Sequence, residues 1–203
     1  MAKKNIPAKY TQKPAPRPAN PVKKTADTGE SRGWMTYGFI VLAITAACYL
    51  PSLSNKLVNW DDDPNITENP NIERVGQGIT WGETVRNIFD VDKGNVIGNY
   101  NPLPILTFAV EKSLAGNEIS PRLIHTTNLA LHLATVWMVM LLLFRMGLGN
   151  WGVLAGGLLF GIHPMRVESV AWATERKDVL FAVFFFAALA LYDRWVKREN
   201  TGQ

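Results

Sequence analysis

The sequence has a single cysteine, Cys48, so no intrachain disulfide can form and no cysteine-based metal spacing is present. It has three histidines. Two of them, His125 and His132, stand two helical turns apart, about 10 Å, which excludes a metal site made by that helix alone. Excess charge is also scarce outside one segment. Residues 1–33 hold eight Lys/Arg and two Asp/Glu, whereas the remainder is slightly acidic. The net charge of +4 is therefore a property of that tail, and no folded basic face points to nucleic acid. No small-residue cleavage site follows the first apolar run, so the start does not read as a secretory signal. No internal period of about 34 residues recurs, which excludes a helical-repeat array within this stretch.

What is present is apolar sequence in blocks, separated by charged joints. Mean hydropathy is near zero only because polar tail, polar loop and greasy spans average out. The blocks predict an all-α membrane protein with about four transmembrane helices, at 34–53, 123–144, 148–163 and 179–196. Trp34 and Tyr37 read as interfacial aromatics. The third span is short and carries Gly152-x-x-x-Gly156 and Gly157-x-x-x-Gly161, two small-residue faces for close helix packing. Residues 1–33, rich in proline and lysine, read as a disordered basic tail with polybasic attraction to anionic lipid. A short tail, 197–203, closes the chain. Arg145 and the Arg194–Arg198 cluster put both termini on the cytoplasmic side and the 54–121 loop outside. A bacterial inner membrane is the expected location.

The external loop should hold short amphipathic interfacial helices. Thr80-Trp81-Gly82-Glu83 reads as a capping box. Trp81, Val85, Ile88 and Phe89 then share one helical face, suited to a membrane surface. Residues 103–115 form an apolar piece too short to span, read as interfacial or re-entrant. Val58-Asn59-Trp60-Asp61-Asp62-Asp63-Pro64-Asn65-Ile66 opens the loop. Three adjacent carboxylates repel one another and need a counter-charge, a metal or a proton to transfer. An EF-hand is excluded: Ile66 stands where the loop needs glycine and Ile72 where it needs glutamate. Asp61 and Asp63 could still hold a divalent cation against a phosphate; no metal or cofactor is otherwise implied. His125, Asn128 and His132 share one face of the second span, which in a membrane helix faces the bundle interior. The external joint at 164–178 is short and densely charged, with Arg166, Arg176 and Lys177 against the positive-inside trend.

Asn59-Trp60-Asp61-Asp62-Asp63-Pro64-Asn65-Ile66-Thr67-Glu68-Asn69-Pro70, Tyr100-Asn101-Pro102-Leu103, His125…Asn128…His132 and His163-Pro164…Val167-Glu168-Ser169-Val170-Ala171-Trp172…Glu175-Arg176-Lys177-Asp178 occur here in that order. This set resembles the amino-terminal membrane part of the transmembrane-and-tetratricopeptide-repeat proteins, of the GT-C class of membrane glycosyltransferases. The resemblance covers roughly residues 34–196. It implies a partial GT-C-like module that takes a sugar from a polyprenyl-phosphate donor and passes it to an acceptor outside the cytoplasm. It implies Asp61 and Asp62 as catalytic carboxylates, one serving as general base. Arg166, Arg176 and Lys177, with Glu168, His163 and His125, would bind the lipid phosphate or the sugar. The class has a larger helical core than this sequence encodes. A second chain supplying further helices is therefore an expected partner, beside membrane lipid. The alternative is a truncated, non-catalytic membrane interaction module with the same partial fold. The two differ in one respect. A transferase needs the Asp loop against the joint, and a bare module leaves it in solvent.

Overall fold

The computed structural model describes residues 28–201. The tail read as disordered lies, up to residue 27, outside the described residues. The first helix, α1 (Thr28–Tyr49), starts ahead of Trp34, so residues 28–33 belong to the helix rather than to the tail. Pro51 ends it in a 3-10 turn, Leu50–Ser54, where the Ser52 hydroxyl donates to the Tyr49 carbonyl at 2.7 Å.

Beyond the loop come α5 (Pro121–Arg145), α6 (Asn150–Gly161) and, after the joint, α8 (Arg176–Thr201). Three stretches are long and apolar enough to cross a membrane: Gly33–Ser54, Pro121–Arg145 and Arg176–Glu199. The chain is an integral membrane protein. The third expected span, α6, has 12 residues, about 18 Å against a hydrocarbon core of roughly 30 Å. It is short because Gly161 ends the helix just ahead of His163 and Pro164. The four legs nevertheless alternate in direction. Gly33 lies against Asn150 and Gly161 against Thr45, so α6 runs parallel to α1. His132 meets Gly161 and Met140 meets Gly157, so α5 runs against both. Asn128 bonds Arg176 and Arg145 bonds Ala190, so α8 follows α5.

Trp34, Val41, Val136, Met140 and Val153 fill the space between α1, α5 and α6. Trp34 is thus not interfacial. It is 7% exposed and packs on Phe144 and Trp137, with ring centroids 5.2 and 5.1 Å away. Tyr37, half-buried, tilts against Trp151.

The long loop folds into a cap. A π-helical turn (Asp63–Thr67) leads into α2 (Pro70–Glu73), whose first turn is held by Asn69, accepting from the Asn71 amide at 2.9 Å. Next is α3 (Trp81–Phe89). Thr80 caps it, its hydroxyl oxygen accepting from the Glu83 amide at 3.3 Å and donating to the Glu83 carboxylate. A two-residue hairpin follows, β1 (Asn95–Val96) and β2 (Asn99–Tyr100), turning through Ile97 and Gly98 at positive φ. The apolar piece after it is α4 (Pro102–Leu114), and it is a core helix rather than an interfacial one. Ile105, Phe108 and Ala109 are buried against Ile66, Ile72, Val75, Ile88, Ile124 and Ala173. Lys112 donates to the Ile72 and Glu73 carbonyls at 3.1 and 2.7 Å, which caps the end of α2. On α3, Ile88 points into this core while Trp81, Val85 and Phe89 face outward. The joint comprises a 3-10 turn (Pro164–Arg166) and α7 (Val167–Ala171), lying across the start of α5.

Candidate active site

Asp62 is 1% exposed and ties the first loop to the joint. Its Oδ2 accepts the Val58 amide at 2.9 Å and its Oδ1 accepts the Thr174 amide at 3.2 Å. Hydrogen bonds to a charged group are the stronger kind, so two amides here hold the carboxylate in place. Each oxygen keeps a second lone pair. Asp61 is half-buried, and its carboxylate interacts electrostatically with the Lys177 ammonium. Asp63 is occupied locally, accepting the Thr67 hydroxyl at 2.9 Å. Among the described residues no group of three His, Cys, Asp or Glu is placed to hold a metal ion.

Asp62 lines a cleft of about 600 Å³. Its other walls come from the loop (Asn55 to Val58, Trp60), from His125 at the head of α5, and from Val167, Glu168, Ala171, Trp172 and Ala173 of the joint. The Trp60 and Trp172 rings stand 6.4 Å apart, tilted by 52°. A smaller cavity of about 390 Å³ shares Asn55, Val167 and Ala171 with it and runs down α1 past Cys48 and Tyr49.

The polar face of α5 divides into two jobs. Asn128 donates to the Trp172 carbonyl at 3.0 Å and accepts from Arg176 Nε. His132 Nε2 meets the Gly161 carbonyl at 2.9 Å. Both are interhelical ties. His125 is 1% exposed, and among the described residues neither ring nitrogen has a hydrogen-bond partner.

The residues expected at the site scatter in their placement. Asp62, Glu168 and His125 share the cleft, and Asp61 lies on the Lys177 side. Lys177 is 45% exposed and pairs with Glu175 at 2.9 Å. Arg176 is fully buried, and its five N–H groups are all spent: on Asn128, on Thr107 at 2.8 Å, on both Glu111 oxygens, and on the Ile124 carbonyl at 2.9 Å. It has no donor left for a phosphate. Arg166 lies over the Phe160 ring, 5.0 Å from the centroid, away from the Asp62 cleft. His163 is exposed and caps the 3-10 turn, its Nδ1 accepting from the Met165 amide at 3.2 Å. Lys56, Trp60 and Trp172 were not singled out as site residues from sequence, yet they line the cleft. Trp60 and Trp172 lie inside the quoted motifs, and that was the available signal.

The apolar helices carry a cap in which an acidic loop closes onto a charged joint, and sequence comparison finds similar proteins. The chain is homologous to the TMTC proteins. It is 28% identical to Protein O-mannosyl-transferase TMTC3 of Homo sapiens over 168 residues, which is 80% of this chain and 17% of that protein. It is 29% identical to human Protein O-mannosyl-transferase TMTC1 over 166 residues, 80% of this chain and 18% of that one. Against Protein O-mannosyl-transferase Tmtc1 of Drosophila melanogaster it is 34% identical over 122 residues, 60% of this chain and 13% of the relative. The chain thus spans less than a fifth of the length of these relatives. No family model matches it, and no solved structure matches it.

Proposed function

We propose that this chain forms the donor-side catalytic part of a membrane glycosyltransferase. It would pass a hexose, mannose on the strength of the relatives' names, from a polyprenyl-phosphate carrier to a hydroxyl on the non-cytoplasmic side. The observation that carries the reading is the Asp62–Thr174 bond, which makes the acidic loop and the joint one site. A bare interaction module has no use for a carboxylate buried at the floor of an open cleft.

In the proposed step an acceptor hydroxyl oxygen attacks the anomeric carbon. Its proton passes to an aspartate, Asp61 or Asp62, and the bond between the anomeric carbon and the phosphate oxygen breaks. The polyprenyl phosphate leaves with the electron pair from the opposite face, giving inversion. A positioned carboxylate contributes about 10²–10⁴-fold to such a step. Developing charge on the phosphate falls to cations with free donors. The cation on the cleft wall is Lys56, since Arg176 is fully engaged and Lys177 lines a separate cavity with Tyr100, Asn101 and Phe184. Arg145, Arg194 and Arg198 would mark the cytoplasmic face, and the cap the external one. The exposed Trp81–Val85–Phe89 stripe would rest on that outer leaflet.

The test is transfer of radiolabelled mannose from polyprenyl-phosphate mannose to a serine- and threonine-rich peptide, by membranes containing the chain with its native partners. Asn in place of whichever of Asp61 and Asp62 takes the proton should lower transfer by about 10²-fold or more. Transfer unchanged in both Asp61→Asn and Asp62→Asn would end the reading.

A further inference from the structure

Arg166 and Asp178 are both exposed and line one groove of about 340 Å³ between α6 and α8, yet they do not pair with each other. Among the described residues Arg166 makes no ion pair and no side-chain hydrogen bond; its guanidinium lies over the Phe160 ring. One oxygen of Asp178 accepts the Ser169 hydroxyl at 3.1 Å, and the Lys177 ammonium senses its charge from the edge of the groove. The remaining walls are aromatic. Phe160 meets Phe186 edge-on at 5.6 Å, which closes the groove toward the bundle. Phe181 stacks on Phe185 at 5.7 Å along the α8 side. The groove opens onto lipid, since α8 is the least buried of the three membrane-length helices. It is also deep. Phe160 stacks on His132, about 20 Å along α5 from Arg145. With Arg145 at one boundary of a hydrocarbon core of roughly 30 Å, the Arg166 guanidinium stands short of the other. Charges that face lipid at such a depth are costly, and they draw in a counter-charge or a headgroup.

We propose that this groove binds the headgroup of a zwitterionic phospholipid, phosphatidylethanolamine, with its phosphate on Arg166 and its ammonium on Asp178. The site is separate from the Asp62 cleft and does not rest on the transferase reading. Two opposite charges held apart in one groove select a ligand that carries both signs. A guanidinium is a two-point donor for phosphate oxygens. A lone anion, whether free phosphate, a phosphomonoester lipid or an acidic side chain, would satisfy Arg166 but meet the Asp178 carboxylate. A lone cation would satisfy Asp178 but meet Arg166. A phosphate joined to an ammonium by two carbons answers both and leaves the groove neutral. The primary ammonium has three N–H donors, and the Asp178 carboxylate keeps free lone pairs to accept one. A trimethylammonium has none to give. The aromatic rings add attraction for the cationic end. Phe181, Phe185 and Leu189 stand one above another on α8, all exposed, and form an apolar track for an acyl chain running away from the cap.

The test titrates the chain, purified in detergent with its native partners, with phosphatidylethanolamine, phosphatidylglycerol and phosphatidylcholine of matched acyl chains, and counts bound lipid by native mass spectrometry. The wild type should hold one phosphatidylethanolamine about tenfold or more tighter than either other lipid, the worth of one charge-assisted hydrogen bond. Asp178→Asn should bring phosphatidylethanolamine and phosphatidylglycerol to within about twofold of each other. Arg166→Gln should weaken all three lipids by about tenfold, and it carries the test if Asp178→Asn, which also disturbs the Ser169 bond, fails to fold. Equal wild-type affinity for the three lipids, or Arg166→Gln binding like wild type, overturns the site. So does displacement of phosphatidylethanolamine by an equal concentration of farnesyl phosphate, which would give the groove to a lone phosphate. Each of these failures leaves the transferase reading standing, because Asp62 and its cleft take no part.

Discussion

Arg176 and Glu111 form a two-point ion pair inside the fold, at 2.9 and 3.3 Å, across 65 positions of sequence. The guanidinium also lies over the Phe108 ring, 4.6 Å from its centroid. It joins α4, α5 and the start of α8, and so fixes the cap on the bundle. Breaking a buried pair from one side leaves an uncompensated charge, which costs about 3–5 kcal/mol. Arg176→Met and Glu111→Leu should each lower the thermal unfolding midpoint in detergent steeply, and the double variant should recover much of the loss. A double variant no better than the worse single one would show that the remaining bonds of Arg176, to Asn128, Thr107 and Ile124, matter more than the pair.

Asp61 and Asp62 should separate in a stability measurement even if both are needed for transfer. In Asp62→Asn, one of the Val58 and Thr174 amides loses its acceptor and faces an amide NH₂. The expected cost is about 1–3 kcal/mol, with faster hydrogen exchange at Val58 and Thr174. Asp61→Asn breaks no carboxylate hydrogen bond among the described residues and should unfold within about 0.5 kcal/mol of wild type. Equal destabilisation by the two would mean that Asp61 also ties the loop down.

What the sequence disclosed and what it withheld divide along range. The Thr80 cap is a four-residue signal, and the shared face of His125, Asn128 and His132 follows from helical periodicity; both were readable without a partner in view. Arg176 was not. An arginine in a charged external joint reads as a ligand-binding cation, and only the fold brings Glu111 and Thr107 to it. The burial of α4 was hidden for the same reason: Glu111 and Lys112 look like surface charges until Arg176 and the end of α2 are placed against them. Trp34 looked interfacial because it begins an apolar run, and the helix that precedes it was obscured by polar composition.

Asp90 gives a pH dependence outside the membrane. Its carboxylate accepts the amides of Lys93 and Asp92, both at 3.0 Å, and these hydrogen bonds hold its carboxyl below the ordinary aspartate range. A folded-state value below the unfolded one stabilises the turn at pH above the unfolded value. That contribution is lost as pH falls through the folded value, so the window lies at and below about pH 4. Amide exchange at Asp92 and Lys93, normalised for its intrinsic pH dependence, should lose protection across this window. Asp90→Asn should make the protection insensitive to pH. A wild-type turn whose protection is flat through the window would rule out this carboxylate as its anchor.

The close approach of α6 to α1 depends on Gly161. A Cβ there would stand 2.5 Å from the Thr45 hydroxyl oxygen, which is buried in the bundle. Gly161 also offers the carbonyl that meets His132. Gly161→Ala should therefore cost about 1–3 kcal/mol through overpacking. Gly152 differs: its Cβ would meet only Leu148, just ahead of the same helix, at 3.3 Å. Gly152→Ala should be neutral or stabilising by up to about 1 kcal/mol, from helix propensity. Thr45→Ala removes the atoms that the new methyl strikes. It should rescue much of the Gly161→Ala loss while leaving the Val136 contact at 3.4 Å. Unfolding midpoints of the four proteins decide it: a Gly161→Ala loss that Thr45→Ala fails to relieve would move the cause from the α1 contact to the His132 bond.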